Sequence, residues 1–102
     1  MIKGIGIDIV EYDRVQLKIA NHVLTKRELA IFNNHPNQLQ FLASRFCLKE
    51  AIIKATNKKY AMREIEISNN EDGQPICNID NLILSISHEK HCCVCMCIWE
   101  AL

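Results

Sequence analysis

The sequence predicts an α+β fold in which a mostly antiparallel sheet packs on one long helix. Three observations carry this expectation. Residues 38–56 run for five turns with no Gly or Pro and end at Asn57-Lys58-Lys59. Short alternating segments bounded by turn residues begin the chain at Ile5, Ile7 and Ile9 and fill its second half. The resulting order, one strand, three helices and then four strands, suits an α+β architecture better than repeated βαβ units.

Each element has its own local reason. Ile5, Ile7 and Ile9 alternate with Gly4, Gly6 and Asp8, so the first strand has one apolar face. The other face bears two glycines, which permit close approach by a backbone or a ligand, and a carboxylate that strands ordinarily avoid. Residues 11–20 read as a helix with Arg14 and Lys18 stacked at i, i+4. Thr25 and Glu28 form a capping box that opens a second helix ending near Asn33-Asn34. His35-Pro36 breaks the chain before the long helix. Residues 64–67 alternate as a strand, 69–73 (Asn-Asn-Glu-Asp-Gly) turn, and 74–79 return. Residues 82–87 and 92–99 form a further hairpin around His88-Glu89-Lys90-His91.

Composition bounds the function. The 102 residues are 49% hydrophobic and 24% charged, which fits one globular domain spanning 1–102. A chain this short buries only part of its surface alone, so association with further copies would help it. No apolar run approaches the ~20 residues of a membrane span, and the first residues lack a secretory pattern. The expectation is a cytoplasmic protein with no membrane partner. Net charge is zero, yet residues 1–63 hold eleven Lys/Arg against five Asp/Glu, and residues 64–102 hold one against seven. A basic first half suits an anionic partner, although internal ion pairing would explain the same asymmetry. Cys92, Cys93, Cys95 and Cys97, with His88 and His91 just before, invite a metal site. Ligands along one strand face cannot close a tetrahedron around zinc without a second element. Core packing is therefore the preferred reading of these thiols.

On a helical wheel of 38–56, Leu39, Leu42, Phe46 and Ile53 share a narrow arc that Phe41, Leu48 and Ile52 extend. Arg45 and Lys49 fall within that arc; Glu50 lies at its edge with Lys54 one turn on. Charges seldom point inward without partners. Snorkelling stems or a Glu50–Lys54 surface pair would explain them individually; four together favour a polyanion site. Asp8, alone readable as a strand-end cap, combines with Glu50 as a carboxylate pair suited to Mg²⁺, which takes few carboxylates, several waters and substrate phosphates. Flanking Arg and Lys would bind the remaining phosphate charge. This chemistry suits transfer of a phosphoryl-type group. Gly4-x-Gly6 is no dinucleotide fingerprint, because Ile9 stands at the third glycine position. Ser85 and Ser87 lack a nucleophile elbow.

Three segments in order resemble the holo-acyl-carrier-protein synthases. These are 4–11 (Gly-Ile-Gly-Ile-Asp-Ile-Val-Glu) with Arg14, then 42–55, which carries an Arg-Phe-x-x-Lys-Glu-Ala-x-x-Lys-Ala pattern, and 84–88 (Leu-Ser-Ile-Ser-His). Leu24-Thr25-x-x-Glu28 and Gly73-x-Pro75 also fit. The resemblance implies the 4′-phosphopantetheinyl transferase fold, usually a homotrimer with active sites between subunits. It implies coenzyme A as donor, an apo-acyl carrier protein as acceptor and Mg²⁺ as cofactor. By matching positions, Asp8 and Glu50 would hold the metal and, with Lys54, be catalytic. Arg45, Lys49, Lys54 and His88 would line the coenzyme A site, and Arg14, Lys18 and Arg27 would meet the carrier protein. The chain departs from that family where Asn57-Lys58-Lys59 replaces a Gly-Thr-Gly loop, and where Glu89 replaces a Thr. Two rival readings are a nucleic-acid-binding module and a fold that has lost its activity. With aromatics at 6% and no exposed aromatic–basic strand pattern, nucleic acid is not the expected partner. Retention of both carboxylates argues against decay.

Overall fold

The structure, a computed structural model, describes residues 1–101. It consists of β1 (Ile2–Glu11), α1 (Ala20–Val23), α2 (Lys26–Asn33), α3 (Gln38–Thr56), β2 (Ile67–Asn69), β3 (Pro75–Cys77), β4 (Leu82–His88) and β5 (Cys92–Glu100). The main sheet has the order β1-β5-β4 and is antiparallel throughout. β2 and β3 form a separate two-stranded ribbon.

α3 forms where the sequence predicts it. The Asn37 side chain accepts the Gln40 N–H at 3.1 Å to open it. Asn57 closes it in the left-handed conformation, at φ 54°. The capping box of α2 is likewise present, with Thr25 Oγ1 accepting from Glu28 N and Glu28 Oε1 accepting from Thr25 N.

Two elements differ from expectation. Residues 11–20 are not one helix: β1 runs on to Glu11, and short 3₁₀ turns at Tyr12–Arg14 and Leu17–Ile19 flank an extended Val15-Gln16. The Tyr12 N–H is drawn to the His91 carbonyl (2.9 Å), which prolongs the pairing of β1 with the β4–β5 hairpin. Arg14 and Lys18 therefore do not stack on one helical face. Residues 64–67 are not the strand either; a 3₁₀ turn ends at Glu64 and pairing begins at Ile67. There the Asn78 side chain captures the Glu66 N–H, and Glu28 captures that of Ile67.

β1 meets α3 through its glycines. Gly4, Gly6, Asp8 and Val10 lie opposite Trp99, Cys97, Cys95 and Cys93 of β5, on the helix side of the sheet. A Cβ on Gly6 would sit 2.0 Å from the Ala51 carbonyl oxygen, and one on Gly4 1.9 Å from that of Ala55. Ala43, Cys47, Ala51 and Ala55 supply the matching small stripe on α3, all buried. The isoleucine face of β1 points the other way. Ile5, Ile7 and Ile9 remain 59, 56 and 65% exposed, and Ile83 and Met96 extend this uncovered apolar surface across the sheet.

Of the predicted face of α3, Leu42 and the extension Phe41, Leu48 and Ile52 are buried, while Leu39, Phe46 and Ile53 are only half-buried. Two cores explain this. One lies between α3 and the sheet, around Cys47, Leu48, Ile52 and Cys95. The other lies between α3 and α1–α2, around Leu24, Phe41 and Leu42. A helix covered on two sides has no single apolar stripe. Cys93, Cys95 and Cys97 fill the first core, as their alternation predicts.

Candidate functional site

The carboxylate predicted on β1 has a cationic partner. Lys54 reaches over the unpaired edge of β1, placing Nζ 3.1 Å from Asp8 Oδ1 and 3.0 Å from the Ile7 carbonyl. The Asp8 side chain is 16% exposed and that of Lys54 is 51% exposed. Glu50 precedes Lys54 by one turn of α3, so it rises from the same side of the helix. It is half-buried and enters no ion pair among the described residues, so the alternative reading of a Glu50–Lys54 surface pair is not met. Asp8 is no strand-end cap, since β1 continues for three residues. Asp8, beside the Lys54 ammonium, and Glu50, one helical turn before Lys54, offer oxygen donors of the kind that Mg²⁺ takes, an oxygen-seeking ion that keeps several waters.

Arg45 lies elsewhere. Nine residues separate it from Lys54, and nine steps of 100° place the two on opposite sides of α3. The Arg45 guanidinium stacks over Phe41, 4.5 Å from the ring centroid. Its Nε approaches Glu28 Oε2 to 3.5 Å but is not aligned for a hydrogen bond. Burial lowers its affinity for the proton and Glu28 opposes that; a guanidinium stays charged under either influence. With His88, Gln40 and Ser44, Arg45 lines a cavity of about 480 Å³. His88 Nδ1 and the Tyr12 hydroxyl are hydrogen-bonded at 3.2 Å, and burial pushes the Tyr12 hydroxyl pKa up. One chain therefore pairs Asp8 with Lys54, with Glu50 one turn from Lys54 along α3, and places Arg45 and His88 on a separate cavity.

Lys49 is placed differently from expectation. Its side chain is fully buried, and Nζ donates to Glu28 Oε1 at 2.5 Å and to the Val23 carbonyl at 2.6 Å. Burial pulls the ammonium pKa down, and Glu28 opposes it. In this structure Lys49 presents no donor to a ligand at the surface. Glu28 is the residue whose importance sequence reasoning missed. It caps α2, pairs with Lys49, approaches Arg45 and accepts the Ile67 N–H at 2.9 Å. The signal was available: Lys49 falls within the buried arc and requires an acid.

Arg14 and Arg27 have side chains 81 and 79% exposed, with loose contacts to Glu11 (3.9 Å) and Glu66 (3.8 Å). Lys18 is exposed. Arg14 borders an apolar cavity of about 330 Å³ formed with Ile9, Phe46 and Ile19. Beyond α3, Lys58 lies 5.9 Å from the Trp99 ring centroid. No helix among the described residues is long and apolar enough to cross a membrane.

The profile of the 4′-phosphopantetheinyl transferase superfamily matches residues 4–97. The chain belongs to this family. A holo-[acyl-carrier-protein] synthase from Thermodesulfovibrio yellowstonii is 38% identical over 104 residues, covering 89% of this chain and 92% of its own. One from Mycoplasma capricolum is 42% identical over 96 residues, covering 88 and 87%. Among solved structures, the synthase from Bacillus anthracis in complex with CoA (3′,5′-ADP) superposes with a TM-score of 0.86 at 33% identity, covering 96% of each chain. The enzyme from Neisseria meningitidis gives 0.89 at 28% identity, covering 99 and 100%. The chain is thus an enzyme of the holo-acyl-carrier-protein synthase branch, with the α+β fold of that family.

Proposed function

We propose that this enzyme transfers the 4′-phosphopantetheine arm of coenzyme A to a serine of an apo-acyl carrier protein, in the cytoplasm and in support of fatty acid and lipid biosynthesis. The observation that carries the reading is the Lys54–Asp8 pair at 3.1 Å, with Glu50 one turn away on the same side of α3. Asp8 and Glu50 would hold Mg²⁺, which supplies charge neutralisation at the diphosphate when bound. Lys54, already beside Asp8, adds a fixed positive charge where phosphate charge shifts during transfer. The serine oxygen attacks the phosphorus that bears the pantetheine arm, and the bond to the bridging oxygen breaks. Adenosine 3′,5′-bisphosphate leaves, and the serine proton passes to a general base. Arg45 and His88 would bind the nucleotide end. Lys49 would act by holding Glu28 and the α1–α2 core in place rather than by touching coenzyme A.

The active site would be shared between subunits of a homotrimer. Arg45 and Lys54 leave α3 in opposite directions, and neighbouring chains would bring both kinds of group to one ligand. The uncovered face of Ile5, Ile7, Ile9, Ile83 and Met96 is the surface such a neighbour would cover. Arg14, Lys18 and Arg27 would meet an acidic carrier protein, with Arg14 bordering the apolar cavity beside Phe46.

The test is intact mass spectrometry of an apo carrier protein after incubation with this enzyme, coenzyme A and Mg²⁺. A gain of one phosphopantetheine arm is expected. No gain with carrier proteins from several bacterial fatty-acid systems would overturn the reading.

A further inference from the structure

The cysteine run on β5 lacks, by itself, the second element that a metal site needs; α3 supplies it. Cys47 lies over the sheet so that its Sγ and those of Cys93 and Cys95 all fall within 4.8 Å of one another. Sulfurs bound about 2.3 Å from a common atom stand about 4 Å apart, so slight contraction would close the trio around one centre. The three residues are 0, 1 and 1% exposed. Among the described residues no fourth thiol, histidine or carboxylate joins the group.

Charge selects the occupant. Three thiolates carry three negative charges into an apolar core, where uncompensated charge is expensive. A divalent ion leaves one charge over, and zinc also ordinarily takes a fourth ligand. A monovalent soft ion leaves two. A trivalent centre bound to three thiolates is neutral. We propose that Cys47, Cys93 and Cys95 form a binding site for a trivalent, three-coordinate thiophilic centre of the arsenite class. The step balances without any redox partner. Arsenous acid forms three As–S bonds, its three As–O bonds break, and the three thiol protons leave with the hydroxyls as three waters. The site also touches the catalytic region. Cys47 Sγ donates to the Asp8 carbonyl at 3.4 Å, and capture of the sulfur removes that donor from β1. Slowed transfer on occupation therefore follows, a consequence that rests on the transferase reading above; the binding itself does not.

The experiment uses the whole reduced protein and sodium arsenite. Native mass spectrometry of the wild type, Cys92→Ala and Cys97→Ala is expected to show one arsenic per chain with the loss of three free thiols. Cys47→Ala, Cys93→Ala and Cys95→Ala are expected to show none. Arsenite should raise the melting temperature of the wild type, because a ligand of the native state stabilises it. X-ray absorption on the wild-type adduct, which needs no variant, should show three sulfur neighbours and no oxygen. Retention of arsenic by Cys47→Ala, a lowered melting temperature, an As–O neighbour, or tighter uptake of Zn²⁺ would each overturn the proposal.

Discussion

Gly6→Ala tests how the fold places its chemistry. The added Cβ would lie 2.0 Å from the Ala51 carbonyl oxygen and 2.7 Å from the Ala55 nitrogen, where ordinary contact begins at 3.4 Å. Both obstructing atoms are helix backbone, so no side chain can swing aside. β1 must retreat from α3 by about 1.4 Å to restore contact distance, a misfit of the kind that costs about 1–3 kcal/mol. For a domain of this size that lowers Tm by roughly 5–20 °C. Asp8 follows Gly6 by two residues on the same face and moves with it, stretching the 3.1 Å contact to Lys54 toward about 4.5 Å, beyond hydrogen-bond reach. A misplacement near 1 Å lowers rate about 100-fold. Urea denaturation and the transfer assay measure the two effects separately. Gly73→Ala is the control: it has φ +83° but nothing within 4 Å, so it should lose about 1 kcal/mol and keep its rate. A Gly6→Ala enzyme as stable as the wild type and fully active would mean that β1 does not need this glycine to seat against α3.

Further outcomes follow from the same geometry. Lys49→Met or Glu28→Gln alone leaves a buried partner uncompensated and should destabilise by about 3–5 kcal/mol, with part recovered in the double variant; a stable Lys49→Met enzyme with a raised KM for coenzyme A would return Lys49 to the ligand site. Ile7→Glu, on the uncovered face, should leave circular dichroism unchanged, yield monomers in sedimentation and abolish transfer; assembly unaffected by the charge would place the interface elsewhere. Asp8→Ala and His88→Ala chains, each inactive alone, should recover activity when mixed and reassembled, since one intact site can then form across a subunit boundary. Burial raises the Cys97 thiol pKa to about 12 from the usual 9.0. The unfolded chain therefore loses this proton first, and the stability that Cys97 contributes is present below about pH 9 and declines toward pH 12. The urea midpoint should fall across that range, and fall less in Cys97→Ala.

Much of this was legible in the sequence because the signals were local. The capping box of α2, the close of α3 at Asn57, the hairpin around residues 88–91 and the burial of alternating cysteines follow from side chains acting on nearby backbone or from period alone. Misreadings occurred where distant residues decided. The helical pattern of 11–20 yields to pairing of Tyr12 with His91, 79 positions along the chain. The predicted face of α3 is buried only in part, because apolar layers cover two sides of the helix rather than one. For β1, alternation distinguishes two faces without stating which one meets the helix; the glycines do so, because only they admit the backbone of α3. The proximity of Asp8 to Lys54 depends on that contact and no sequence spacing expresses it. Lys49, sharing a helix and a motif with Lys54, differs from it in role because Glu28 is folded beneath it.

Asp8 and Glu50 are proposed to hold together the metal used in transfer. The most direct measurement is the transfer rate against Mg²⁺ concentration for the wild type, Asp8→Asn and Glu50→Gln, with EDTA as the zero point. No transfer is expected in EDTA, with saturation by Mg²⁺ in the wild type and, in each variant, a much higher Mg²⁺ requirement with a lower maximal rate. Transfer that persists in EDTA, or variants whose Mg²⁺ dependence matches the wild type, would contradict it.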